Sequence, residues 1–529
     1  MTLDRRAVLG AAAALAAPFA APLAAPLKVN AAGRAAPVAA TTAGRVRGVE
    51  VDGIKVFKGV RYGADTAPRR FQPALAAQPW KGIADALAYG PASPQLKADE
   101  PTSEDCLFLN VWTPGLADGG KRPVMVYVHG GAHANGSGSS PLYDGTWLAR
   151  TYDVVVVTVN HRLNAFGYAY LARLGGAELA DSGNVGNLDL ILALQWVRDN
   201  IAAFGGDPGA VMMFGQSGGG AKCVTLMAMP RAAGLYHKVA TMSGQHVTAM
   251  GPIHATIRAR AFMEKLGLKP DETDKLRTLP AGQLVEALKM PDPLERKGSI
   301  VFWSVLDHGV LPRHPFYPDA PRESGHIPMI IGNTHDETKA FLGGDPKNFA
   351  LTWDELPGRL ENELVLDMSP EYLVGRYRAL YPAASPSDLF FAITTAGRSW
   401  PGHLVQAEQR ARIGAPAWMY QLDFGAQTDP KMGAYHSYDI ALVFGTLDAR
   451  GSMTGTGPAA IKVRDQMSAA FAAFARTGDP NCAAIPAWAP YTLPKRATLV
   501  VNETSVMVDD PRREEREIFA VAPFMKEGT

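Results

Sequence analysis

The spacing in this chain that most suggests chemistry is Gly215-Gln216-Ser217-Gly218-Gly219. Glycines two residues to either side of a serine permit a turn so sharp that side chains there would strike the neighbouring strand and helix. The turn lifts the hydroxyl into a cleft, and a helix starting at the turn directs its positive end toward charge developing beside it. Such a serine suits nucleophilic attack on an acyl carbon. The motif is weak alone, because 53 of 529 residues are glycine. A glycine-rich strand–helix turn with a passive serine is the other reading.

A nucleophile of this kind needs backbone N–H groups aimed at the tetrahedral oxyanion, and losing one such donor typically costs ~3 kcal/mol. The segment His129-Gly130-Gly131-Ala132-His133 offers them, since small residues let the main chain approach a substrate. Gly131 and Ala132 are the candidate donors, with the N–H of Gly218 as a third. An ordinary glycine turn is the alternative. The two histidines have a spacing that would suit a metal on a helix, but here they bracket a glycine loop, so no metal site is expected.

These segments must be held by something rigid. Val124–Val128, Val154–Val159, Val211–Phe214 and Pro328–Ile331 are short, continuously apolar runs. Continuous rather than alternating hydrophobicity means strands covered on both faces, as in a parallel or mixed sheet between helices. The first strand leads into the His129 loop and the third into Ser217. Between the second and third, Leu188, Ile191, Leu194, Val197 and Ile201 recur at helical spacing, with Gly205-Gly206 as a stop. A helical run from Ala221 to Met229 follows the serine and ends at Pro230. Strand, helix, strand predicts an α/β fold. Residues 250–400 mix helical patterns with proline-rich loops and are expected to be helical insertions over the sheet.

Composition agrees with a globular enzyme: 47% hydrophobic, 19% charged, 52 Lys and Arg against 51 Asp and Glu, and three cysteines. The net charge of +1 gives no attraction for nucleic acid, and three cysteines make no disulfide scaffold. Residues 1–31 carry Arg5-Arg6 and an alanine-rich run interrupted by Pro18, Pro22 and Pro26. They are expected to be a twin-arginine-like export signal to the periplasm or beyond, with residues 32–529 as one catalytic domain. Prolines make the run a poor spanning helix, so stable membrane insertion is not expected.

Taken together, the motifs resemble the type-B carboxylesterase and cholinesterase-like family of α/β hydrolases. Glu104–Trp112 is similar to one family signature, and Asn160–Gly167, Gly186–Asp189, Asn200–Pro208, the serine motif and Phe471–Asn481 follow in the family's order. The resemblance spans roughly residues 40 to 500. It implies a central, mostly parallel sheet with helices on both faces and helical insertions over the active site. It also implies a Ser-His-Glu triad. Gly332–Glu337 is similar to the segment carrying the acid, which maps onto Glu337, with Asp336 one register step away. Of the later histidines, His436 in Gly433–Asp439 matches the family's histidine, and His403 is expected at the surface. Arg162 with Asp189, and Arg70 with Glu104, fall where the family keeps buried ion pairs. The implied activity is hydrolysis of small carboxylic esters through an acyl-enzyme, without metal or organic cofactor. A lipase, a carbamate hydrolase or a non-catalytic binding protein would use the same framework.

Departures carry information too. Ser93-Pro94-Gln95 stands where the family usually has a cysteine, so Cys106 is expected to be a free, buried thiol, as are Cys223 and Cys482. Gln216 and Gly218 replace a common Glu and Ala, and Gly218 is expected to loosen the oxyanion donor. His133 replaces an aromatic and puts the acyl pocket's preference in question.

Overall fold

Eleven strands of the computed structural model, which describes residues 36–295 and 297–524, form one sheet. In chain order they are β1 (Val49–Val51), β2 (Ile54–Arg61), β3 (Phe108–Thr113), β4 (Arg122–Val128), β5 (Val155–Val159), β6 (Gly206–Gln216), β7 (Lys238–Met242), β8 (Met329–Thr334), β9 (Ala417–Leu422), β10 (Ala497–Val501) and β11 (Val506–Asp509). Their spatial order is β11-β10-β9-β8-β7-β6-β4-β5-β3-β2-β1. The seven strands from β10 to β5 run parallel, and antiparallel strands flank them on both sides. The segment expected to be an export signal lies outside the described residues.

Unbroken apolar strands arise here because both faces are buried. Val124, Val126 and Val128 of β4 join one core while Met125 and Tyr127 join the other, and β5 and β6 divide the same way. The first core packs against α1 (Val185–Asn200) and α2 (Gly218–Met227), the second against Pro458–Thr477 and Thr146–Tyr152. The predicted βαβ unit is thus β5-α1-β6. Its helix ends in a 3-10 turn at Ile201–Phe204, and Gly205 closes it at φ +71°. Residues 250–400 do contribute helices, among them Pro252–Lys265, Pro370–Leu380 and Pro386–Arg398.

Two ion pairs brace this layout. Arg162 and Asp189 are almost without accessible surface, with Nη2–Oδ1 at 2.6 Å and Nε–Oδ2 at 2.8 Å. Arg70 holds Glu104 and donates to the Leu279 carbonyl at 2.6 Å. Removing one partner of such a pair strands a charge in the interior, at a cost of about 3–5 kcal/mol. All three cysteines are free; Cys106 and Cys223 are buried as expected, but Cys482 is only partly so. Among the described residues no helix is long and apolar enough to cross a membrane.

Candidate active site

At the end of β6 the chain turns into α2 through Ser217, whose φ of +56° is strained for a residue with a side chain. The glycines explain how the turn fits. A Cβ on Gly219 would sit 1.9 Å from the Val128 carbonyl oxygen, and one on Gly215 would sit 2.5 Å from the Gly219 carbonyl carbon. Ser217 therefore stands at the start of a ten-residue helix, beside the end of β4.

The His129 loop follows β4 and lies against this turn. A Cβ on Gly130 would come within 3.4 Å of the Ser217 Cβ. Gly131 and Ala132 both adopt positive φ, +88° and +54°. Among the described residues, no protein acceptor takes the N–H of Gly131, Ala132 or Gly218. Gly218 packs closely on that loop: a Cβ there would lie 2.0 Å from the Ala132 carbonyl oxygen, so glycine is what lets loop and helix touch.

Two further residues reach this turn from later strands. Glu337 follows β8 and is fully buried; His436, in the loop after β9, is nearly so. His436 Nδ1 hydrogen-bonds to Glu337 Oε2. The other carboxylate oxygen accepts from Ser243 Oγ at 2.6 Å and from the Thr334 N–H at 2.9 Å. Burial works to raise the Glu337 carboxyl, but His436 and the Ser243 hydroxyl outweigh it and hold it down at about 2. Asp336 faces elsewhere, pairing with Lys339 at 3.2 Å and accepting from the Ala434 N–H at 3.0 Å. A one-residue register step separates the two acids, and the structure presents Glu337 to the imidazole.

With Nδ1 committed, His436 Nε2 turns toward the serine turn, where it accepts from the Gln216 side-chain amide at 3.1 Å. Ser217 Oγ makes no hydrogen bond among the described residues. Gln216, the residue before Ser217, thus ties the turn to the His436–Glu337 pair. Phe341, 45% exposed, packs its ring 4.8 Å from that of His436, and the Arg398 guanidinium lies 4.1 Å above Phe341.

Two histidines stand otherwise than expected. His403 is fully buried, not superficial, with the Ser399 backbone beside its ring. It lies close enough to Glu337 to feel its charge, yet burial dominates and lowers it to about 4. His133 does not line an open acyl pocket: it is fully buried between Tyr168 and Trp303, bonded to Ser304 Oγ at 3.0 Å. Ser243 escaped the sequence reading. Its only signal is the Ser-Gly step after β7, and its φ of +55° aims the hydroxyl at Glu337. Among the described residues no group of three or more His, Cys, Asp or Glu is placed to hold a metal ion.

The carboxylesterase family matches residues 35–519, nearly all of the described chain. This chain belongs to the carboxylesterase family. It is 34% identical over 500 residues to the para-nitrobenzyl esterase of Bacillus subtilis (strain 168), covering 90% of this chain and 97% of that protein. It is 31% identical to the phenmedipham hydrolase of Pseudarthrobacter oxydans, over 88% of this chain and 95% of that one. The solved carboxylesterase of Geobacillus stearothermophilus superposes with a TM-score of 0.81 at 36% identity, covering 91% of this chain and 99% of that chain. The fold of this carboxylesterase is that of the α/β hydrolases, and the enzyme is a carboxylic ester hydrolase.

Proposed function

We propose that this carboxylesterase works through a Ser217–His436–Glu337 triad and an acyl-enzyme, with small-molecule carboxylic esters as substrates. The observation that carries the reading is the orientation of one ring: His436 Nδ1 meets Glu337 while Nε2 faces the turn that bears Ser217. A carboxylate on Nδ1 fixes the tautomer in which Nε2 has a free lone pair, which is what a general base requires.

The steps follow from that geometry. The Gln216 amide rotates off Nε2, and Ser217 Oγ attacks the ester carbonyl carbon as its proton passes to Nε2. The carbonyl oxygen takes up the electron pair and is met by the N–H groups of Gly131, Ala132 and Gly218. Glu337 stabilises the imidazolium without taking its proton. The tetrahedral centre collapses, the ester C–O bond breaks, and the proton on Nε2 goes to the departing alcohol. Water then repeats the sequence on the acyl-serine and frees the acid. A Ser217→Ala enzyme that keeps its thermal transition but loses p-nitrophenyl acetate hydrolysis supports this assignment; retained turnover rejects it.

We also propose export through the twin-arginine-like segment, on the strength of Arg5-Arg6 and the alanine-rich run after it. Fractionation of cells making Arg5→Lys/Arg6→Lys protein should show it retained inside, whereas unchanged export would reject the signal.

A further inference from the structure

Behind the oxyanion loop lies a charged side chain that the proposed mechanism does not use. Lys222 is on α2, one helical turn after Gly218, and has no accessible surface. Its Nζ donates to the Ala132 carbonyl at 2.7 Å, the single hydrogen bond it makes among the described residues, and no carboxylate pairs with it. A buried lysine without a counter-ion is costly, so its retention calls for a physical reason.

The loop supplies one. Ala132 is held in a left-handed conformation that residues with a Cβ rarely adopt, so its peptide units need anchoring. Its neighbours are anchored by other groups: the Gly131 carbonyl by the N–H groups of Ala134 and Asn135, the His133 carbonyl by the Asn164 N–H at 2.6 Å. The Ala132 carbonyl has Lys222. Gly218 opens the way, because any side chain there would fill the space that this carbonyl occupies. Gly218 and Lys222 thus form a matched pair on one helix face.

We propose that Lys222 is a positioning residue for the oxyanion hole, pinning the Ala132 peptide from inside the protein and setting a positive charge behind the donors that meet the oxyanion. The inference rests on the acyl-enzyme reading of Ser217. The surroundings make that charge sensitive to pH. His129 and His133 face it from the oxyanion loop, His161 from the loop after β5, His246 from the loop after β7, and Cys223 from its own helix. Burial first, and Lys222 with it, lowers all four histidines, so they remain neutral near pH 7. Burial lowers Lys222 itself to about 7. Below that pH an ammonium grips the carbonyl; above it, a neutral amine still donates but without charge.

Purified Lys222→Met, Lys222→Gln and Ser217→Ala enzymes test this with p-nitrophenyl acetate from pH 5.5 to 9, thermal transitions being measured alongside. Lys222→Met should lose about tenfold in kcat at pH 6 with KM within twofold, since the charge acts on the transition state. Lys222→Gln, which keeps an N–H donor and discards the charge, should fall between. The wild-type to Met ratio of kcat should shrink as pH rises through 7 to 8. A trifluoromethyl ketone, whose adduct places an oxyanion in the hole, should bind Lys222→Met about tenfold more weakly. A kcat within twofold of wild type, or a ratio flat across the pH range, overturns the inference. Ser217→Ala separates the two readings: if it stays active the triad assignment fails, and if it is dead while Lys222→Met matches wild type only the role of Lys222 fails.

Discussion

The Gln216 amide donates to His436 Nε2 at 3.1 Å, on the nitrogen that Glu337 leaves free and one residue before the serine. An amide N–H there favours the neutral ring and has to turn away once Nε2 is protonated. A carboxylate in its place would stabilise the protonated ring and so oppose its use as a base. Gln216→Glu is therefore expected to move the acidic limb of the kcat/KM profile upward by about half to one pH unit. Steady-state kinetics from pH 5 to 9 checks this, and a limb that stays in place would mean the contact carries no electrostatic weight.

The two adjacent acids give a paired test. Glu337→Gln keeps an oxygen for Ser243 and Thr334 but no longer fixes the tautomer, so kcat should fall by roughly 10²–10⁴ with the fold intact. Asp336→Asn disturbs the contacts to His335, Lys339 and Ala434, none of which reaches His436, and should leave kcat within about threefold. Equal losses in the two variants would contradict the separation.

Asp439 links the site to stability. Its carboxyl is fully buried, with one oxygen bonded to the Tyr420 hydroxyl at 2.7 Å and the other without a side-chain partner among the described residues. Burial, and behind it the charge of Glu337, raises it to about 7, against the opposing Tyr420 hydroxyl. The folded protein thus holds this proton more tightly than the unfolded chain. The contribution is full below the ordinary value of 3.8 and is lost as pH rises through about 7. Asp439→Asn removes that loss and should raise stability at pH 8 by order 1–4 kcal/mol, with little change at pH 4. Thermal transitions of both proteins across that range decide it.

The sheet's central part was legible because burial on both faces leaves a sequence mark: Val124–Val128 and Val154–Val159 carry no polar residue that could face water, Thr158 apart. The strand–helix turn at Ser217 was legible because glycine alone fits at 215 and 219. That Glu337 and His436 would meet was legible through resemblance, since nothing local distinguishes them from Asp336 and His403. What stayed hidden depends on contacts between distant segments. Ser243 matters only because β7 and β8 run side by side. The fit of Gly218 depends on the Ala132 carbonyl, which a separate segment brings against it. His403 carries no neighbouring pattern that separates a buried imidazole from an exposed one.

The central claim is tested most directly by asking which atom is acylated. A p-nitrophenyl alkylphosphonate, attacked at phosphorus by an activated serine with loss of p-nitrophenolate, leaves a stable adduct that peptide mass spectrometry can locate. One phosphonyl group per chain on Ser217, accumulating in step with loss of esterase activity, is the predicted result. Inactivation with Ser217 unmodified, or with the adduct on another residue, would contradict the account.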